Sequence, residues 1–267
     1  MTRRLAAAAS VFALGLPVLA GAVEVAPHRA LYGLALETAK PQSRVVGATG
    51  SLGYEWGETC DGWTIEQRYK LSLQNEEDPP SEINSSFVTW ESKDGLSYRF
   101  NERKTQNGQG DEEIKGTATL KPNGGPGRAL FDKPKTQSFE LPAGTLFPTA
   151  HTLLLIKRGQ NHDDFVSAEV FDGSTLDGAT LISAVLGPTL PLSTPADSPV
   201  ASALLLHPSW NVRLAFFPDS DKDSQPDYQL AMRLLANGVS SSMLIDYGDY
   251  SIKATLKKIE ALPRPAC

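Results

Sequence analysis

Period-two alternation of side chains is the feature that most restricts how this chain can fold. Large, mostly apolar side chains occupy every second position at 28–36, 63–73, 210–216, 228–234 and 252–256. Polar residues such as Glu66, Arg68 and Lys70 take the positions between them. A strand with one apolar and one polar face is typical of antiparallel sheets that bury a single face. The pattern therefore predicts a mainly β protein built from antiparallel strands.

Short turn sequences separate several of these stretches. Asn237-Gly238 and Gly248-Asp249 flank one strand candidate, and Asp94-Gly95 lies between two others. Pairs of this kind supply the positive φ angles that two-residue hairpin turns require. The sequence therefore predicts a three-strand meander over 227–262 and a hairpin over 86–104.

One helix is predicted over the segment FPTAHTLLLIKRGQ, residues 147–160. Thr149 is the expected N-cap, Lys157 and Arg158 suit the negative end of the helix dipole, and Gly159 is the expected stop. One short helix among about a dozen strands predicts a sheet that wraps around the helix.

The first 22 residues have the composition of a secretory signal peptide. Arg3 and Arg4 precede an apolar run, and Ala20-Gly21-Ala22 places small residues where a signal peptidase cleaves. We expect export to the periplasm with cleavage after Ala22. An uncleaved membrane anchor is the alternative, but Pro17 interrupts the run, which is shorter than a membrane span requires.

The mature chain, residues 23–267, is expected to form one β domain. A proline-rich loop at about 187–203 is either a flexible linker between two halves or a lid over a cavity. The formal charge is −6 and no basic stripe occurs, so we expect no nucleic-acid partner. No later apolar run reaches the length of a membrane span, so no transmembrane segment is expected after cleavage.

The chain contains two cysteines, Cys60 and Cys267. In an oxidising compartment an even number of cysteines normally pairs. We therefore predict a Cys60–Cys267 disulfide, with two free thiols as the alternative. The bond would fix the last strand and the chain end to the segment around Cys60, because chain ends otherwise fray.

Common hydrolase and nucleotide-binding motifs are absent from the sequence, and no cofactor is implied. A possible calcium loop lacks the glycine at position 6 and the glutamate at position 12, so an exposed acidic turn is the simpler interpretation. Its candidate ligands are Asp219, Asp221, Asp223 and Asp227.

His162 and Asp164 could supply the acid and base of a periplasmic hydrolase acting on an envelope polymer. A solvated turn is the simpler interpretation of this pair. We expect His151, in the first turn of the predicted helix, to hydrogen-bond the scaffold. The four tryptophans, Trp56, Trp63, Trp90 and Trp210, are expected either in the core or on the wall of an apolar ligand cleft.

Several stretches together resemble the EipB-like family of periplasmic cell-envelope integrity proteins. They occur in the family's order over essentially the whole mature chain, as HRALYGLAL, CDGW, FPTAHTLLLI, FDGS, PDYQLAMRLLANGV and the C-terminal cysteine. The resemblance implies a β-spiral, an open and strongly bent antiparallel sheet wound around a helix. It also implies a disulfide between the CDGW cysteine and one near the C-terminus, which are Cys60 and Cys267 here.

The resemblance further implies a non-enzymatic protein that supports envelope homeostasis. The implied partner is a periplasmic envelope protein, such as one with tetratricopeptide repeats, or an apolar ligand such as a lipid or a lipoprotein segment. No catalytic residues of the family carry over to this chain.

Overall fold

The structure is a computed structural model that describes residues 23–192, 200–217 and 225–267. The predicted signal peptide, residues 1–22, lies outside this description. So do residues 193–199 of the proline-rich loop, and three of the candidate calcium ligands, Asp219, Asp221 and Asp223.

The described residues form fourteen strands, one α-helix and two short 3₁₀ helices. The helix, α1, is Pro148–Gln160, and the 3₁₀ helices are Pro41–Ser43 and Ala203–Leu205. The strands of the first half are β1 (His28–Ala39), β2 (Val45–Glu58), β3 (Gly62–Asn75), β4 (Ser81–Ser92), β5 (Ser97–Gln106), β6 (Gln109–Leu120), β7 (Gly127–Lys133) and β8 (Gln137–Leu141). Those of the second half are β9 (Phe165–Val170), β10 (Thr180–Leu186), β11 (Ser209–Phe217), β12 (Tyr228–Leu235), β13 (Ser240–Asp246) and β14 (Tyr250–Ala261).

All fourteen strands belong to one antiparallel sheet, in which β1 pairs with β14 at the centre. From this pair the first half of the chain runs outward from β1 to β8, and the second half runs from β14 to β9. Nearly every connection is thus a local hairpin, as the turn sequences predicted. The meander β12–β13–β14 and the hairpin β4–β5 are both confirmed.

The sheet bends until its two ends approach each other, but it does not close into a barrel. Leu146, between β8 and α1, forms a parallel bridge with Val170 of β9. Across the same gap, the Tyr98 hydroxyl donates a hydrogen bond of 2.9 Å to the Asp172 carbonyl. An aromatic cluster joins the two ends of the sheet. In it the Phe171 ring makes edge-to-face contacts with rings from β5 and β7. The predicted fold class, a strongly bent antiparallel sheet around one helix, is therefore confirmed.

The period-two pattern separates the inner and outer faces of the sheet as predicted. Ala30, Tyr32 and Leu34 of β1 are buried inside, and Arg29 and Leu31 are exposed on the outer face. Three of the four tryptophans, Trp56, Trp63 and Trp210, belong to the core.

Trp90 lies on the outer face, because it pairs with the outward positions Thr64 and Arg99. The Arg99 guanidinium carbon lies 4.7 Å from the centre of its ring. This tryptophan thus contributes to the outer surface of the sheet rather than to the core.

Two details of the helix prediction were wrong. The N-cap is Phe147, followed by Pro148, and not Thr149. Gly159 lies within α1, and Asn161 is the C-cap. Both differences arise from contacts with distant strands, because Glu91 of β4 caps the helix and Trp210 of β11 packs on Gly159.

Candidate functional site

The helix α1 covers one end of the sheet's inner face, where it meets Glu91 at the end of β4 and Trp210 at the start of β11. Toward the other end of these strands, inward-facing apolar side chains from both halves of the sheet are only half-buried. We define the interior mouth as Tyr69, Phe87, Phe216, Tyr228, Met243 and Tyr250.

Aromatic rings in the interior mouth and the adjoining Tyr247 form a connected stack. The Phe216 and Tyr228 rings lie 4.1 Å apart, and Tyr228 continues to Tyr247 at 6.3 Å. Tyr247 in turn lies 5.1 Å from Tyr250. Such rings combine a large apolar area with polar hydroxyls, a composition that is typical of binding surfaces.

Desolvation raises the pKa of four tyrosine hydroxyls in and beside this stack above the ordinary value, those of Tyr69, Tyr228, Tyr247 and Tyr250. Tyr69 also interacts electrostatically with Tyr247, although three strands of the sheet separate β3 from β13. The mouth is therefore bounded by both halves of the spiral.

Acidic groups line the inside of the spiral near the mouth. The Ser85 hydroxyl donates a hydrogen bond of 3.0 Å to the carboxylate of Glu102. Burial raises the pKa of Glu102, and the nearby Asp172 contributes in the same direction. The inward-facing Lys104 acts on Glu102 in the opposite direction, so charges of both signs border the mouth.

At the end of the sheet that α1 covers, Glu91 is a buried carboxylate that faces the start of the helix. Only 2% of the residue is exposed, and its two oxygens accept backbone hydrogen bonds from Thr149 at 2.7 Å and Ala150 at 2.8 Å. Desolvation outweighs these two bonds and raises the pKa of Glu91 to about 7. Its geometry is that of a helix cap contributed by a distant strand.

His151 is buried in the first turn of α1, where desolvation lowers its pKa to about 4. Its Nε2 atom has no hydrogen-bond partner among the described residues, so the expected bond from this atom to the scaffold is not present. A buried neutral imidazole of this kind packs in the core and offers no accessible base.

The predicted disulfide is present between Cys60 and Cys267. It links the turn between β2 and β3 to the tail that follows β14. The tail is also held by Arg264, which donates to the Val25 carbonyl and forms an ion pair with Glu58. The expectation that the bond fixes the last strand needs correction, because β14 lies at the centre of the sheet between β1 and β13. The bond fixes the tail instead.

The candidate hydrolase pair does not form a site. His162 and Asp164 are exposed on the turn after α1, where the neighbouring Asp163 pairs with Arg158. Asp227, the one candidate calcium ligand within the described chain, is exposed at the start of β12. The described residues contain no group of three or more His, Cys, Asp or Glu side chains that could hold a metal ion.

Two shallow grooves occur on the surface of the described residues. One, of about 280 Å³, lies on the outer face of β3, β4 and β5. The other, of about 300 Å³, lies between β6, β7 and β8. Both grooves are open to solvent, and neither is an enclosed apolar cavity. Within the described ranges no helix is long and apolar enough to cross a membrane.

Sequence reasoning missed Glu91, Glu102 and Asp172. The first two carried a usable signal, because each occupies an inward position of an alternating strand, where a carboxylate is unexpected. Asp172 lies outside any strand, and its position became evident only from the approach of the two sheet ends.

Comparison with known proteins gives consistent similarities over almost the whole chain. A family model described as EipB-like matches residues 19–263. The cell envelope integrity protein EipB of Brucella abortus (strain 2308) is 31% identical over 245 residues, which are 90% of this chain and 86% of that protein. A crystal structure of a beta-barrel-like protein of a domain of unknown function, from Brucella abortus, aligns with a TM-score of 0.84 and 29% identity. That alignment covers 91% of this chain and 100% of the other.

Proposed function

Because the chain belongs to the EipB-like family, we propose that it supports the integrity of the cell envelope. We further propose that it is periplasmic and has no enzymatic activity. The name of its Brucella relative supports the role in the envelope. A disulfide and a signal-peptide-like segment at 1–22 support the periplasmic location, because disulfides persist in oxidising compartments.

The interior mouth is the binding surface of this proposal, and its half-buried aromatic stack is the observation that carries it. A folded protein gains stability by burying apolar side chains, so a connected stack left half-buried indicates a surface that a partner covers.

The occupant is either a protein partner or an apolar ligand, such as a lipid or a lipoprotein segment. A tetratricopeptide-repeat protein of the periplasm is the partner type that the family resemblance implies. The hydrolase alternative loses its motivation, because its two candidate residues lie on an exposed turn.

Complementation of a deletion strain tests this function. Loss of the gene should lower resistance to detergent, and the wild-type protein should restore it. We expect the double variant Phe216→Ala/Tyr228→Ala to fold but to fail in complementation, because it removes the centre of the aromatic stack. Mild crosslinking of periplasm should recover a protein or lipid with the wild type and much less with this variant.

A matched control comes from the outer face of the neighbouring strands. Phe165 and Val185 are 56% and 55% exposed and pair with each other across β9 and β10. Phe165→Ala/Val185→Ala should complement fully. If the mouth variant complements as well as this control, the mouth is not the binding surface. If deletion leaves detergent resistance unchanged, the envelope role is wrong.

A further inference from the structure

The groove on the outer face of β3, β4 and β5 has short side chains on its floor and long cationic side chains on its walls. Two rows of residues cross the three strands side by side, Arg68–Ser86–Arg103 and Lys70–Asn84–Thr105. All six residues line the groove. Because the short Ser86 and Asn84 lie between longer neighbours, the strands themselves produce a pocket that opens to solvent.

The three cations of this basic groove keep donors free for a ligand. The Arg68 and Arg103 side chains are 74% and 71% exposed, and each has an ion pair with one carboxylate, Glu66 and Glu113 respectively. A guanidinium group carries five N–H donors, so a single carboxylate leaves several unused. Lys70 has no ion pair with any described residue, and Ser86, Asn84 and Thr105 add neutral donors at the floor and wall.

The outer face of these strands also has a local excess of positive charge. Its cations are Arg68, Lys70, Arg99 and Arg103, and its carboxylates are Glu66 and Glu82, with Glu113 of the adjacent β6 paired to Arg103. The chain as a whole has a formal charge of −6. A basic surface on an acidic protein attracts anions to one place rather than to the whole molecule.

We propose that this basic groove binds the phosphate group of an anionic ligand. Arginine forms paired hydrogen bonds with phosphate oxygens, and Arg68 and Arg103 lie on opposite sides of Ser86, so both can turn toward one phosphate at the floor. The same chemistry fits a phospholipid headgroup and a free phosphate ester. The groove lies on the opposite face of the sheet from the interior mouth, so the inference is independent of the proposed function.

Binding by the full mature chain tests the inference with two kinds of probe. Calorimetry measures binding of glycerol 3-phosphate, and sedimentation measures binding to vesicles of phosphatidylglycerol in phosphatidylcholine. We expect Arg68→Gln/Arg103→Gln to weaken binding of at least one probe by about tenfold or more, because each lost charged hydrogen bond is worth ~1.5 kcal/mol or more.

The control removes the same charge from another part of the outer surface. Arg213→Gln/Lys253→Gln changes exposed cations on β11 and β14 and should leave binding within about twofold of wild type. A second variant, Ser86→Asp, retains all three cations but places a carboxylate on the floor, and it should also abolish binding. Thermal melts establish that each variant is folded.

The outcomes separate the possible sources of the phosphate. Binding to phosphatidylglycerol vesicles alone, lost in the groove variants, supports a lipid headgroup, and binding of both probes supports a general phosphate site. Equal losses in the control and the groove variants would show general attraction by net charge and overturn the inference. It is also overturned if neither probe binds.

Discussion

At the residue scale, Glu91 determines where the helix sits. Its carboxylate satisfies two backbone N–H groups at the start of α1, which have no partner within the helix itself. Phe147, the N-cap residue, offers no side-chain acceptor. The buried carboxylate therefore couples the position of the helix to a strand far away in the sequence.

The stability of the protein should depend on the ionisation of Glu91. Burial raises its pKa to about 7 in the folded protein, above the ordinary value of 4.5. Between these values the folded state binds more protons than the unfolded state, so the free energy of unfolding falls as the pH rises. We expect Glu91 to contribute a loss of about 2 kcal/mol between pH 5 and pH 7.5, with a smaller further change at higher pH.

Glu91→Gln is the appropriate comparison, because glutamine has the shape of the protonated carboxyl group and does not ionise. Urea unfolding across this pH range measures the difference between the two proteins. The wild type should lose stability relative to the variant as the pH rises. Parallel pH profiles for the two proteins would mean that Glu91 ionises normally in the folded state.

At the scale of the element, α1 fits the spiral because one of its faces carries a glycine. A Cβ atom at Gly159 would lie 2.6 Å from two ring carbons of Trp210, which is itself fully buried. Real Cβ atoms essentially never approach carbon this closely. The glycine thus permits close packing of helix on strand rather than marking the end of the helix.

Gly159→Ala should therefore destabilise the protein, although alanine favours helix by about 1 kcal/mol over glycine. We expect a net loss of roughly 1–3 kcal/mol, because the rigid Trp210 ring must move within a packed core. Chemical unfolding gives the difference directly. Gly178→Ala is the control, since an added Cβ there has open space and Gly178 has no positive φ angle. A stabilising Gly159→Ala would show that the helix can shift away from Trp210 at little cost.

At the scale of the whole molecule, the first and last strands meet at the middle of the sheet. β1 and β14 pair along their length, and Leu262 donates a backbone hydrogen bond to Pro27 just beyond them. The disulfide then joins two residues separated by 207 positions. Its effect on stability comes largely from the unfolded chain, where it closes a very long loop.

Cys267→Ser should lower the melting temperature in oxidising buffer. The chain-entropy description gives at most ~5 kcal/mol for a loop of this length. Reductant should lower the melting temperature of the wild type and have little effect on the variant. Cys60→Ser should behave as Cys267→Ser does, with no further loss in the double variant. An unchanged melting temperature, or two free thiols in periplasmic material, would contradict this role.

Much of the fold was predictable because it follows from local chemistry. Alternation assigned the inward and outward residues of strands such as β1 and β3, and turn pairs such as Asn237-Gly238 located the hairpins. The helix was located, but its ends were not, because distant residues determine them.

The strand pattern, the helix, the family and the disulfide could all be predicted from the residues alone. Each depends on near neighbours in the chain or on residue types. Tertiary structure alone decided which strands flank β14, how far the sheet bends, and which side chains meet across the spiral. Contacts such as Tyr98 with Asp172 and Tyr69 with Tyr247 depend on the curvature accumulated over many strands. The interior mouth depends on that curvature, whereas the basic groove depends on the register of three consecutive strands, which alternation alone does not fix.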